Sequence, residues 1–308
     1  MIDVAKYIVK RVFLAIFTLW IVATITFSLM FMVPGGPFLA EKSPSPATLE
    51  ALNKRYGLDQ PKIVQYKNYM VNLLHGQMGE SIKQRGKTVQ DIISTGFKVS
   101  ARIGGISILL AVAIGIPLGC IAALNRGKWL DSLIIVISTC GIAVPSFVVS
   151  TVLMVIFSIK LDLLPTYGLT TWKHYIMPVA ALSFYPTSYI SRLMRSSMLE
   201  VLGQDYMRTA RAKGLSQGKS LFKHALRNAV LPVVTYLGPL VAYTLTGSLV
   251  VERIFTIPGI GEAFITSITG RDYTMIMGTT IFLAGLVIFM NLVVDIAYKI
   301  IDPRIQLK

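Results

Sequence analysis

His75, His174 and His224 are the three histidines of this 308-residue chain, and they lie in separate loops, without the close spacing a zinc or other imidazole site requires. Cys120 and Cys140, its two cysteines, each fall inside an apolar run and read as buried free thiols, not a disulfide framework. The stretch Gly214-Leu215-Ser216-Gln217-Gly218-Lys219-Ser220 has the outline of a phosphate-binding loop. Only three residues separate its glycines, however, and it follows a basic helical segment where such a loop needs a buried strand. Gly259-Ile260-Gly261 lacks the third glycine of a dinucleotide fingerprint. Asp295 is an acidic residue near the end of an apolar run, four residues before Lys299, and is expected to be a paired interfacial carboxylate. The chain is therefore expected to be no enzyme, with no catalytic residue, no metal site and no cofactor of its own.

The surroundings of these residues explain why. The sequence is 54% hydrophobic, above the roughly 45–50% of soluble domains, and several apolar runs exceed the ~18 residues that mark a membrane span. An all-α polytopic membrane protein is expected, with six transmembrane helices at 12–33, 103–124, 132–159, 176–191, 229–251 and 275–298. The fourth is the least apolar, short and interrupted by Pro178 and Pro186. Charge fixes the parity: with residues 1–11 and 299–308 both cytoplasmic, sixteen Lys and Arg fall inside, against four in the short outer loops 160–175 and 252–274. The net charge of +15 thus follows from orientation and from anionic inner-leaflet lipid, with no nucleic acid partner expected. The long outer loop 34–102 is expected to form a helical cap, with short helices at Thr48 to Arg55 and Pro61 to Leu74 separated by Tyr56-Gly57-Leu58-Asp59.

Inside the membrane, Pro145 in the third span and Pro239 in the fifth each remove a helical hydrogen bond, so both helices are expected to kink. Freed carbonyls at that depth are tolerated only against protein or water, which favours kinked helices around a cavity. Thr139, Ser146 and Ser150, and the face Thr235, Pro239, Ala242 and Thr246, form small or polar stripes at helical spacing. They serve either as helix-packing faces or as the lining of a substrate pathway. No span carries a charge near its centre, which argues against a proton- or ion-coupled secondary transporter or channel.

The segment 192–228 is left as the most informative one, with eight Lys and Arg in a long inner loop. Asp205 is placed to cap a helix from Tyr206 to Lys213 that Gly214 ends, with Tyr206, Met207 and Ala210 on one face and Arg208 pointing away. A second helix is expected from Ser216, with Lys219, Lys223 and Arg227 on one side and Leu221, Phe222, Ala225 and Ala229 on the other, lying on the lipid surface.

Gly203-x-Asp205-Tyr206-x-Arg208-Thr209-Ala210-Arg211-Ala212-Lys213-Gly214, with His224 to Ala229 and Leu231-Pro232, resembles the cytoplasmic EAA loop of binding-protein-dependent ABC importers. The branch it is most similar to is the B-type permease of the oligopeptide, dipeptide and nickel group. In the general EAA pattern the first three positions fall on Arg208, Thr209 and Ala210, so the Glu is absent and the spacing to Leu-Pro is longer, as is usual in that branch. Tyr56 to Pro61, Val251 to Gly261, Arg271-Asp272-Tyr273 and Asp302-Pro303-Arg304 also resemble segments of these permeases, so the similarity covers nearly the whole chain. Val33-Pro34-Gly35-Gly36-Pro37 lacks the Asp that many relatives carry there, which puts any role for that carboxylate in doubt here.

The resemblance implies a type I importer permease fold in a prokaryotic inner (cytoplasmic) membrane. It implies a heterodimer with a second, C-type permease, two cytoplasmic ABC ATPase subunits that bind ATP and Mg, and an extracytoplasmic substrate-binding protein. Asp205, Tyr206, Arg208, Thr209, Ala210, Arg211 and Gly214 would match the coupling helix that docks on an ATPase, and the outer loop with Glu252 to Ile268 would face the binding protein. The substrate implied is a peptide, oligopeptides being favoured over dipeptides and nickel or a metallophore.

Overall fold

A computed structural model describes residues 2–32, 35–38 and 45–301, with side chains for all of these except 2–8, 211, 217, 223 and 297–301. Val33, Pro34 and Asp302-Pro303-Arg304, and the side chain of Lys299, lie outside the described residues. Among the described residues the chain is all-α, with no strand beyond an isolated bridge between Glu80 and Thr88. Its helices are α1 Ile2–Met32, α2 Pro46–Arg55, α3 Lys62–Leu74, α4 Val89–Leu124, α5 Trp129–Ala143, α6 Ser146–Leu153 and α7 Lys173–Leu202. They continue as α8 Asp205–Ala212, α9 Gln217–Lys219, α10 Leu226–Ala229, α11 Leu231–Leu245, α12 Leu249–Ile254, α13 Ile260–Gly270 and α14 Tyr273–Ile301. A π-helical stretch, Met154–Lys160, extends α6, and another, Ser220–Ala225, joins α9 to α10.

Helix α7 sits at the centre, packed along α4 and flanked by α5, α6 and α11. Small residues let it approach α4: a Cβ on Gly119 would stand 2.6 Å from both the Met194 Cβ and the Ser191 carbonyl oxygen. Lipid offers no hydrophobic drive for helices to associate, so such close backbone packing is what holds the pair together. Ile190, Met194 and Met198 of α7 fill the inner core together with Ala111 and Ala123 of α4.

Several helices run past the apolar segments that mark them in the sequence. The helix expected at 103–124 begins at Val89, where the Thr88 hydroxyl accepts from the Asp91 amide at 3.2 Å. Its first turns carry Asp91, Lys98 and Arg102, which dilute hydropathy without breaking the helix. Likewise α7 extends the 176–191 segment to Lys173 at one end and Leu202 at the other, so the first part of loop 192–228 is still helix. Pro178 and Pro186 both sit inside it. The 12–33 and 275–298 segments lie within α1 and α14 apart from the undescribed Val33, and the two short helices read in the 34–102 loop appear as α2 and α3.

Two expectations are corrected. At Pro145 the third segment, 132–159, does not merely kink: α5 and the α6 arm meet at a bend of 104°. A proline disfavours helical backbone at the preceding residue, and Val144 is indeed extended (φ −85°, ψ 122°), so the helix terminates. The fifth segment, 229–251, keeps Pro239 within α11 but breaks at Thr246-Gly247-Ser248, where Gly247 takes φ +80°, before α12. By length and composition four helical stretches are apolar enough to cross a membrane, five if the bent pair is one span. Helix α7 is long enough but is not among them, because its serines, prolines, tyrosines and charged residues lower its hydropathy.

Candidate functional site

Between α7 and the segment that leads into α11, α8 forms a short knob. Asp205 is the first helical residue, not the cap before it; its carboxylate is exposed and lies 3.6 Å from Arg208 on the outer surface. An acidic residue in the first turn still complements the helix dipole. The Thr209 hydroxyl donates to the Asp205 carbonyl, and Gly214 ends the knob at φ +76°, a conformation open to glycine without strain. Met207 is 1% exposed and Ala210 is buried, so one face is anchored while Arg208 points away. The backbone of Arg211 lies in the last turn of α8, its side chain outside the described residues.

The anchor is the next segment of chain. The Asn228 side-chain amide donates to the Tyr206 hydroxyl at 2.9 Å, and Met207 joins the core cluster of Met198, Ala225, Ala229 and Val233. The Ser216 hydroxyl accepts from the Lys219 amide, which starts the second helix as expected. The π-helical register then turns its apolar side inward: Ala225 is fully buried, Leu221 packs on the same core, and Phe222 remains 75% exposed. The expected lipid-facing stripe of Leu221, Phe222, Ala225 and Ala229 is thus split. Its alanines hold the knob, and Phe222 stands outside.

Other buried polar groups were invisible as sites in the sequence. The Arg195 guanidinium of α7 donates twice to Asp131 at the start of α5, at 2.6 and 2.7 Å, and the Gly127 amide donates to the same carboxylate. In α12, Glu252 is 2% exposed and accepts from the Ser100 hydroxyl at 2.7 Å, the Gly261 amide at 2.8 Å and the Glu262 amide at 3.2 Å. It pins α12 and α13 to α4, and takes up the amides that a dinucleotide fingerprint would offer to a ligand. Asp272 accepts from the Ser81 hydroxyl, from the Ile82 and Lys83 amides, and from Met275 at the start of α14. Sequence reasoning noted Glu252 and Asp272 only as parts of longer motifs. Their distant partners, Ser100 and Ser81, stand 152 and 191 residues away along the chain.

Asp295 pairs with Arg11 of α1 at 2.6 Å, an interhelical contact, while the Lys299 side chain expected beside it lies outside the described residues. His75 and His174 serve locally, their Nδ1 atoms 2.8 Å from the Val71 carbonyl and the Thr171 hydroxyl. Cys120 is half-buried, and Cys140 is exposed where a buried thiol was expected.

Between α5, α7 and α11 lies a cavity of about 640 Å³ lined by Pro145, Pro186 and Pro239 and by Tyr185, Tyr236 and Tyr243. Tyr189 links two of them, its ring 6.2 Å from Tyr185 and 4.3 Å from Tyr236. Of the residues read as a substrate pathway, Ser146 and Pro239 line this cavity. Ser150 and Ala242 are buried between helices. Thr139 and Thr235 are exposed and bond back to Ile135 and Leu231 of their own helices, and the Thr246 hydroxyl donates to the Tyr243 carbonyl. The stripe is not one surface; a hydroxyl that bonds its own preceding turn is already satisfied. The tyrosines come from two segments some fifty residues apart, and no spacing rule joins them.

A family model described as "Binding-protein-dependent transport system inner membrane component" matches residues 115–307, and its N-terminal companion matches 4–104. The chain is 46% identical over 303 residues to the dipeptide transport system permease protein DppB of Bacillus subtilis (strain 168), covering 98% of each chain. It is 39% identical over 303 residues to the oligopeptide transport system permease protein OppB of Escherichia coli (strain K12), covering 98% of this chain and 99% of that one. A solved structure of the MetNI methionine ABC transporter in inward facing conformations aligns with 69% of this chain and 97% of that one at a TM-score of 0.57 and 14% identity, a likeness of fold. The chain belongs to the family of binding-protein-dependent transport system inner membrane components, the permease subunits of ABC importers.

Proposed function

We propose that this chain forms half of the translocation pathway for peptides delivered by an extracytoplasmic binding protein. In this reading a C-type permease supplies the other half. Two cytoplasmic ATPase subunits bind ATP and Mg and carry out all hydrolysis. The termini are cytoplasmic, and the chain crosses a prokaryotic inner membrane six times, with α7 and the bent α5 and α6 arm among the crossings. The observation that carries the coupling role is the anchored knob: α8 offers an exposed face at Arg208, while the Tyr206 to Asn228 hydrogen bond ties it to α10 and Met207 joins the core cluster that includes Met198 of α7 and Val233 of α11. A push on its outer face moves the core.

Oligopeptides are the favoured substrate, and dipeptides are a second reading favoured by the 46% identity to a dipeptide permease. Reconstitution with partner subunits and a loaded binding protein tests both, with ATP-driven uptake of tripeptides and dipeptides measured side by side. Bulky residues at Ala210, which is buried, and at Gly214, whose φ of +76° strains any L side chain, should abolish uptake and ATPase assembly. Survival of both functions would show that α8 does not couple to the ATPase. Gradient-driven flux by the chain alone in liposomes would overturn the importer reading.

A further inference from the structure

We propose that the cavity between α5, α7 and α11 binds the backbone of the translocating peptide, through the hydroxyls of Tyr185, Tyr236 and Tyr243. The inference rests on the peptide-importer reading above and adds to it a site and a basis for broad specificity.

The cavity has the size of a ligand site. Its volume of about 640 Å³ falls within the roughly 300–1,000 Å³ of small-molecule pockets. Lipid cannot be its natural filling. Pro186 has no amide to offer the Leu182 carbonyl, and both residues line the space. A carbonyl freed at membrane depth needs a donor from protein, water or ligand, which acyl chains lack.

The tyrosines are out of place for any bland role. Membrane tyrosines gather at the interfaces, where the hydroxyl reaches water. Tyr185, Tyr236 and Tyr243 lie well inside their apolar segments, and all three line the cavity. A phenol both donates and accepts, which matches the N–H and C=O that every peptide unit presents. No residue described as lining the cavity is charged, so an acidic, basic or neutral side chain meets no attraction or repulsion from its walls. Such a surface reads what all peptides share. Stacking of Tyr189 against Tyr236 and Tyr185 holds two of the rings in place.

The test uses the assembled transporter in proteoliposomes and the variant Tyr185→Phe/Tyr236→Phe/Tyr243→Phe, which keeps ring volume and removes three hydroxyls. Uptake of neutral, acidic and basic tripeptides is measured at saturating loaded binding protein, alongside analogues N-methylated on the backbone amide. If each hydrogen bond contributes about fivefold, wild type should lose uptake of the N-methylated analogue by roughly fivefold or more. The triple variant should lose uptake of all three tripeptides by a similar factor, on the order of a hundredfold, and no longer distinguish the methylated analogue. Undiminished uptake by the triple variant, or a loss confined to one charge class, overturns the proposal. As a measurement independent of variant folding, a photoreactive tripeptide in the wild-type transporter should label Tyr185, Tyr236 or Tyr243. Exclusive labelling elsewhere also overturns it. A wild-type transporter that moves no peptide at all would instead sink the importer reading itself.

Discussion

Met207→Ala isolates the anchoring of the knob from its outer surface. Met207 is 1% exposed, inserted beneath α8 into the cluster that contains Met198, Ala225 and Ala229. Truncating a buried methionine to alanine costs about 2–5 kcal/mol, and a short surface helix can settle partly into the gap, so the lower part of that range, about 2–3 kcal/mol, applies. At about 1.4 kcal/mol per tenfold, the ratio of docked to undocked knob falls roughly 30- to 140-fold. The knob would still present Arg208 to an ATPase subunit, but its movement would no longer be transmitted to α7 and α11. In proteoliposomes with all partners, ATP hydrolysis should continue while peptide taken up per ATP falls at least about tenfold. Met207→Leu, which nearly conserves volume and costs less than about 1.5 kcal/mol, should stay close to wild type. An assembled Met207→Ala transporter with the wild-type ratio of uptake to hydrolysis would refute the idea that this contact carries the stroke.

Three further outcomes are expected. Gly119→Leu should lower the thermal midpoint of the detergent-solubilised complex, since a Cβ there stands 2.6 Å from the Ser191 carbonyl oxygen and α4 and α7 must separate; overpacking of this kind costs about 1–3 kcal/mol. Glu252→Ala strips the acceptor from Ser100 and from the amides of Gly261 and Glu262, at about 1–3 kcal/mol for each group left unsatisfied. Hydrogen exchange at 261 and 262 should accelerate by at least about tenfold, with Glu252→Gln intermediate; protection equal to wild type in the alanine variant would contradict the latch. Arg195→Ala should destabilise the protein by about 3–5 kcal/mol by leaving the buried Asp131 carboxylate unpaired, whereas Asp131→Leu/Arg195→Met should recover most of that loss in the same denaturation assay.

Local chemistry was legible in the sequence, and contacts across the chain were not. Ser216 and Gly214 bound the turn between the two inner helices as their residue types require, and α2 and α3 lie where short apolar periodicity put them. Hydropathy misplaced the ends of α4 and α7. Charged residues such as Lys98 and Arg195 interrupt an apolar run yet favour helix as well as any neighbour. Pro145 was read as a kink because its own effect was counted and its effect on Val144 was not. Phe222 and Ala225 were put on one face at 3.6 residues per turn, and the π-helical stretch parted them. Glu252 and the cavity tyrosines depend on partners contributed by distant helices, which no window along the chain can bring together.

The 104° bend at Val144-Pro145 dictates an order of assembly. With 15 residues at ~1.5 Å each, α5 reaches about 22 Å, short of the ~30 Å hydrocarbon core, so the bent form cannot cross by itself. The turn before the break packs on α7, where a Cβ on Gly141 would stand 2.8 Å from the Ser188 Cβ, and the ribosome makes α7 later. During synthesis the 129–160 segment therefore enters the membrane before its final shape is available, and folds only when a downstream helix arrives. Damage to the buried face of α7 would then surface as misinsertion of a segment made before it.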